Sequence, residues 1–287
     1  MRYTPGGPSE DIEDRRGQGG GGLGGGGLKL GLGGMLLVGL LSVVFRRNLF
    51  ADLSQVQGNA PSRATPGAPY QETPQEKQMV EFVSFVLDDV QNTWTREFQA
   101  RGQTYPRAKL VLFTDVVRSA CGTAESATGP FYCPGDQKAY IDLSFYQDLK
   151  ARFGAPGDFA QAYVLAHEIG HHVQNVLGTE KRLRREQRAN PADANALSVR
   201  MELQADCYAG MWGKSTQQRN LLEEGDVDEA LNCATAIGDD RLQKQAGGRV
   251  SPETFTHGSS EQRKRWFKRG FESKRLEDCD TFGTTTL

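Results

Sequence analysis

Five residues, His167-Glu168-Ile169-Gly170-His171, constrain what this chain can fold into more than any other stretch. On an α-helix, side chains four apart leave the same face with Cβ atoms about 5 to 6 Å apart. Two imidazoles so placed can share one Zn²⁺. Glu168 then lies about 100° round the helix, beside the ion rather than on it, where a carboxylate can take a proton from a zinc-activated water. The flanking residues agree with a helix, since Phe159, Ala162, Tyr163, Ala166, Ile169, Val173 and Val176 form an apolar stripe. Asp158 is expected to cap its start and Gly178 to end it.

Two histidines leave a catalytic zinc one protein ligand short. A second helix, starting near Pro191 and Asp193 and running to about Trp212, carries Glu202-Leu203-Gln204-Ala205-Asp206. Glu202 and Asp206 share a face at i and i+4. Glu202 is therefore expected to complete the ligand set of His167 and His171, with Asp206 accepting from and orienting the ring of His167. His172 falls off the metal face and is expected to pack or cap.

The rest of the chain divides by composition. Residues 1–27 hold two charged patches and a run of glycines, which bury too little apolar surface to fold, and read as a disordered tail. Residues 28–45 are apolar apart from Lys29 and stop at Arg46 and Arg47, near the lower length limit for a membrane-spanning helix. No A-x-A site follows, so 28–47 is expected to be an uncleaved transmembrane anchor rather than a signal peptide. Pro61, Pro66, Pro69 and Pro74 make 48–75 an extended spacer. One domain is expected over 76–287.

Within that domain Val80, Val83, Val86, Leu87, Val90, Trp94 and Phe98 predict a long amphipathic helix over about 75–99. Residues 109–114 and 138–143 read as short strands around a loop with turn signals at Gly129-Pro130 and Pro134-Gly135. The second strand, just before the metal helix, is a candidate edge for holding an extended peptide through main-chain hydrogen bonds. The basic run 181–188 reads as a solvated face. The basic and aromatic stretch 261–275 reads as a helix packed on the core, not as a lipid or nucleic-acid surface.

Charge and cysteine usage narrow the setting. Lys plus Arg number 34 against 36 Asp plus Glu, a net charge of −2 that gives no general pull toward nucleic acid. Cys121, Cys133, Cys207, Cys233 and Cys279 contain no C-x-x-C pair, which argues against a zinc ribbon or a thioredoxin-type site. Closing the short segment between Cys121 and Cys133 would contribute roughly 3 kcal/mol. Disulfides imply an oxidising compartment, and an odd fifth cysteine leaves at least one thiol free or paired between chains. Charges on either side of 28–45 do not determine orientation, so the cysteines place the large domain outside the cytoplasm.

With the second motif in view, the chain resembles the bacterial neutral zinc metallopeptidases. The resemblance rests on the His167 to His171 motif, on Glu202-Leu203-Gln204-Ala205-Asp206-Cys207, on the Gly-rich tail and single apolar segment, and on Gly129-Pro130-Phe131-Tyr132-Cys133-Pro134-Gly135 and Phe255-Thr256-His257-Gly258. It is similar also to HtpX-like membrane-associated peptidases and, more distantly, to thermolysin-like gluzincins, although Met201 stands where the thermolysin type has Asn. These resemblances imply an α+β zincin-like fold, with an active-site helix, a short sheet and a glutamate-bearing helix behind one transmembrane helix. They also imply a bacterial inner-membrane location.

Thr256-His257-Gly258-Ser259-Ser260-Glu261-Gln262-Arg263 is similar to the T-H-P-S-x-x-x-R pattern late in HtpX-like peptidases, with Gly258 in place of Pro. By that position His257 or Arg263 would stabilise the oxyanion formed when a peptide carbonyl is attacked. The expected function is a membrane-anchored, Zn²⁺-dependent endopeptidase acting on peptide or protein substrates, with Glu168 as general base. An inactive anchored zinc protein that binds partners and a zinc hydrolase of a non-peptide amide are the alternatives.

Overall fold

The first long helix, α1 (Pro74–Gln99), starts on a reciprocal cap. The Glu76 N–H donates to Thr73 Oγ1 at 3.2 Å and the Thr73 N–H to the Glu76 carboxylate at 2.8 Å, with Pro74 supplying a helical φ at the first position. Its apolar stripe, Val83, Val86, Leu87, Val90 and Trp94, is fully buried. The structure, a computed structural model, describes residues 1–18 and 70–287. These form a mixed α+β body of eight helices, one four-stranded sheet and one two-stranded ribbon.

The strands are β1 (Ile12–Asp14), β2 (Lys109–Phe113), β3 (Val116–Ser119), β4 (Gly122–Glu125), β5 (Phe131–Cys133) and β6 (Lys138–Asp142). After them come α2 (Ser144–Ala151), α3 (Asp158–Val176), α4 (Thr179–Ala189), α5 (Ala194–Gln218), α6 (Asp226–Ala236), α7 (Asp239–Gln245) and α8 (Ser260–Glu272). The sheet order is β1-β2-β6-β5, with β1, β2 and β6 parallel and β5 antiparallel to β6. β3 and β4 form the separate antiparallel ribbon.

Alternation along the strands decides which layer each residue joins. Leu110, Leu112, Ala139 and Ile141 face the helical core, whereas Val111, Phe113 and Tyr140 face a second cluster with Val117 and Cys133. The sheet is thus buried on both sides by different partners. The strand predicted at 138–143 is therefore interior, paired on both edges, and the outer edge next to α3 belongs to β5. The sequence reading missed β5 because it lies inside the cysteine-bracketed loop and is three residues long.

The expected disordered tail over 1–27 is corrected for residues 1–18. Met1 is buried in the main core, Tyr3 packs edge-on against Phe82 at 5.3 Å, and Ile12–Asp14 pairs with β2. Composition misled because the segment docks chiefly by charge. Glu13 pairs with Lys138 at 2.6 Å, Asp11 with Lys109 at 2.9 Å, and Arg16 with Glu72 at 2.7 Å. The Met1 ammonium meets Asp158, at the start of α3, at 2.6 Å.

The expected anchor at 28–47 and most of the 48–75 spacer lie outside the described residues. Among the described residues no helix is long and apolar enough to cross a membrane. The single-pass arrangement also conflicts with the sheet. One crossing between β1 and β2 would place two hydrogen-bonded strands on opposite sides of a bilayer.

Two disulfides brace the body, Cys121–Cys133 and Cys207–Cys279, and Cys233 is a buried free thiol. The first ties β5 to the turn between β3 and β4. The second ties α5 to the C-terminal turn 276–279.

Candidate metal centre

Helix α3 carries His167, Glu168 and His171, and α5 carries Glu202 and Asp206. The two helices can approach because residue 170 is glycine. A Cβ there would lie 3.1 Å from the Ala205 carbonyl oxygen and 3.2 Å from its Cα, tighter than most real contacts. A second close crossing sets α8 against α5, where a Cβ on Gly270 would lie 1.9 Å from the Cys207 carbonyl oxygen. That crossing delivers Arg263, two turns earlier on α8, to Asp206.

Three metal-facing donors converge. His167 Nε2 is 3.2 Å from His171 Nε2 and 3.2 Å from Glu202 Oε2, and His171 Nε2 is 3.5 Å from Glu202 Oε1. Bonds of about 2.0 to 2.1 Å from a tetrahedral zinc set neighbouring donors about 3.3 to 3.4 Å apart. The separations of His167 Nε2 from His171 Nε2 and from Glu202 Oε2 lie close to such an edge, and the other oxygen of the same carboxylate, Oε1, reaches toward His171. The hydrogen bonds behind them fit too, because His167 Nδ1 meets Asp206 Oδ1 at 2.8 Å and His171 Nδ1 meets Gln174 Oε1 at 2.8 Å. With both Nδ1 hydrogens so used, the two Nε2 lone pairs and a carboxylate face one point. That donor set calls for a cation.

The electrostatics follow from burial and these partners. Burial lowers the pKa of His167, but Asp206 and Glu202 outweigh it and the net shift is upward. Burial raises that of Glu202, yet His171, His167 and His257 hold it well below the carboxylate range. Glu168 moves upward, because burial outweighs the neighbouring histidines. It is 9 % exposed, and its carboxylate accepts no hydrogen bond from another side chain or backbone group among the described residues.

The structure brings together His167, His171, Glu202 and Asp206, with Glu168 adjacent on α3. It places the two oxyanion candidates differently. Arg263 is 3 % exposed and lies behind the ring of His167, where it binds Asp206 through Nε at 2.8 Å and Nη2 at 2.9 Å. Its donors are also taken by Tyr163 Oη at 3.3 Å, so the expected contact with an oxyanion gives way to a support role for Asp206. His257 stays half-exposed, and its charge is felt by Glu202. His172 turns away from the donors, with Nε2 donating to the Pro106 carbonyl at 2.6 Å and Nδ1 accepting from Tyr132 Oη at 2.9 Å.

Three contributors escaped the sequence reading. Gln174 and Tyr163 stand three residues after His171 and four before His167, on the same helix face as the ligands, and that spacing was the available signal. Asp239 gave none, since it is 18 residues from His257. It accepts the backbone N–H groups of Thr256, His257 and Gly258 at 2.8, 2.7 and 3.1 Å, and meets His257 Nδ1 at 3.1 Å. One carboxylate thereby holds the whole loop that presents His257.

Comparison with known proteins agrees with this geometry. Residues 1–282 match the family described as "Putative neutral zinc metallopeptidase". The Escherichia coli K12 protein named "Uncharacterized protein YpfJ" is 48% identical over 290 residues, spanning 99% of each chain. The Mycobacterium tuberculosis H37Rv protein named "Uncharacterized protein Rv2575" is 45% identical over 194 residues, 64% of this chain and 65% of its own. No solved structure matches the chain. With a family match over nearly its whole length and Zn²⁺ as the metal that family implies, this chain belongs to the neutral zinc metallopeptidases.

Proposed function

We propose that the chain is an endopeptidase in which His167, His171 and Glu202 hold Zn²⁺ and Glu168 is the general base. The observation that carries this reading is the nearly buried carboxylate of Glu168, without a hydrogen-bond partner among the described residues, beside two imidazoles and a carboxylate that converge closely enough to share one ion. When bound, Zn²⁺ supplies a Lewis acid and lowers the pKa of a water to about 7. Glu168 takes the proton of the attacking water and passes it to the leaving amine. Its raised pKa suits both transfers. Burial lowers the pKa of His257, but Asp239 and Glu202 outweigh it and the net shift is upward, and Nε2 of this ring is the donor to the carbonyl oxygen as charge develops there.

The outer edge of β5 is the place for an extended peptide, since it borders α3 and has no strand paired to it among the described residues. Two disulfides support an oxidising location for the folded body, and the apolar residues 28–45 support contact with a membrane. Thiol labelling and protease accessibility on intact cells test that placement.

The catalytic reading is tested with a broad peptide library, zinc-loaded against chelated protein, and the Glu168→Gln variant. The variant is expected to bind zinc and cleave at least ~100-fold more slowly. Full activity in Glu168→Gln, or cleavage unaffected by chelation, sinks the proposal. Hydrolysis of small amides but of no peptide favours a non-peptide amide as substrate.

A further inference from the structure

We propose that Gln174 and Gln204 form a directional amide relay by which the disulfide-tied C-terminal turn sets the tautomer of the metal-facing His171. The inference rests on the zinc reading above, but its first readout does not. An imidazole can present Nε2 to a metal only if its remaining hydrogen sits on Nδ1. For His167 a carboxylate, Asp206, enforces this. For His171 the partner is a neutral amide, which can accept with its oxygen or donate with its nitrogen. Something must therefore decide which end of Gln174 faces the ring.

The surroundings of Gln174 decide it. Its Oε1 faces His171 Nδ1 at 2.8 Å, while Nε2 donates to the Met201 carbonyl at 2.7 Å and to Gln204 Oε1 at 3.1 Å. Flipped, its oxygen would face two acceptor oxygens in a site where Gln174 is fully buried, away from bulk solvent. Gln204 is oriented in the same way, because its Nε2 donates to the Cys279 carbonyl at 3.1 Å. Turning Gln204 over would set its oxygen against that carbonyl and its NH₂ against the NH₂ of Gln174. The Cys279 carbonyl is itself held in place by the bond to Cys207, one helical turn beyond Gln204 on α5. Polarity thus runs one way, from Cys279 through Gln204 and Gln174 to His171.

Gln174 and Gln204 are positioning residues, and their replacement has a signature that simple packing does not share. A glutamate at 174 can still accept from His171 Nδ1 but cannot donate to Met201. A leucine fills similar space and can do neither. In metal-free protein, ring ¹⁵N shifts at a pH where His171 is neutral report the tautomer directly. Zinc affinity is measured by chelator competition.

Gln174→Leu is expected to lose the single Nδ1–H form of His171 and to weaken zinc binding about 10- to 100-fold. Gln174→Glu is expected to keep the tautomer and bind zinc within a few-fold of the parent, even with a lower melting temperature. Gln204→Leu should follow Gln174→Leu, and Gln204→Glu, which still accepts from Gln174, should follow Gln174→Glu. The opposite order, with the leucine variants retaining tautomer and affinity while the glutamate variants lose them, overturns the relay. A parent protein that binds no zinc overturns the metal reading instead, and the ¹⁵N shifts then still decide the relay.

Discussion

Arg263 binds both carboxylate oxygens of Asp206 in the protein interior, through Nε at 2.8 Å and Nη2 at 2.9 Å, with Asp206 fully buried. Asp206 in turn holds His167. The guanidinium therefore compensates a charge whose exposure to water is nil and which lies 2.8 Å from Nδ1 of His167. Removing it in Arg263→Ala should destabilise the fold by about 3 to 5 kcal/mol, because the carboxylate is left uncompensated in the core. Arg263→Lys should recover only part, since an ammonium cannot repeat the two-pronged contact. Urea unfolding measures both, and an unchanged midpoint in Arg263→Ala would show that the pair is not what holds this region.

The loop that presents His257 should be sensitive to acid. Burial alone would raise the pKa of Asp239, but His257 and the backbone N–H groups of the loop outweigh burial and hold it below the ordinary aspartate value. A carboxyl whose folded pKa is depressed contributes stability that is present above its unfolded pKa and is lost as pH falls through the folded one. Asp239→Asn should therefore be less stable than the parent near neutral pH, and the difference should close as pH falls below about 4. Denaturant midpoints at a series of pH values test this. A constant difference across the series would remove the charge from the explanation.

The two disulfides should contribute unequally. Cys207–Cys279 spans 72 residues and Cys121–Cys133 spans 12, so chain entropy assigns about 4 kcal/mol to the first and about 3 kcal/mol to the second. Paired serine replacements at 207 and 279 should lower the melting temperature more than those at 121 and 133. Equal effects, measured by calorimetry, would mean that local strain or residual structure overrides loop length.

The N-terminal strand should matter for solubility as well as stability. Removing residues 1–16 takes away β1 and uncovers the edge of β2. It also removes the burial of Met1, about 1.5 to 3 kcal/mol. The expected outcome is a lower urea midpoint and concentration-dependent association through the exposed strand, read by light scattering. A truncated protein that stays monomeric and as stable as the parent would show that β1 contributes nothing to the sheet.

The sequence by itself determined the elements whose information is local. Apolar periodicity specifies α1, and the spacing of His167 and His171 specifies one face of α3. Glu202 and Asp206 were legible for the same reason, as two carboxylates one helical turn apart. Tertiary structure alone decided which far-off partners meet them. It set Arg263 behind Asp206 instead of near a substrate, gave His257 its Asp239, and oriented His171 through Gln174 and Gln204. It also turned a charged, glycine-flanked start of the chain into a sheet strand, because the acids of 11–14 find Lys109 and Lys138 across about a hundred residues of sequence. Periodicity reports how a segment faces its own axis. Charge pairing, amide orientation and close helix approach depend on what lies opposite, and that exists only once the chain has closed.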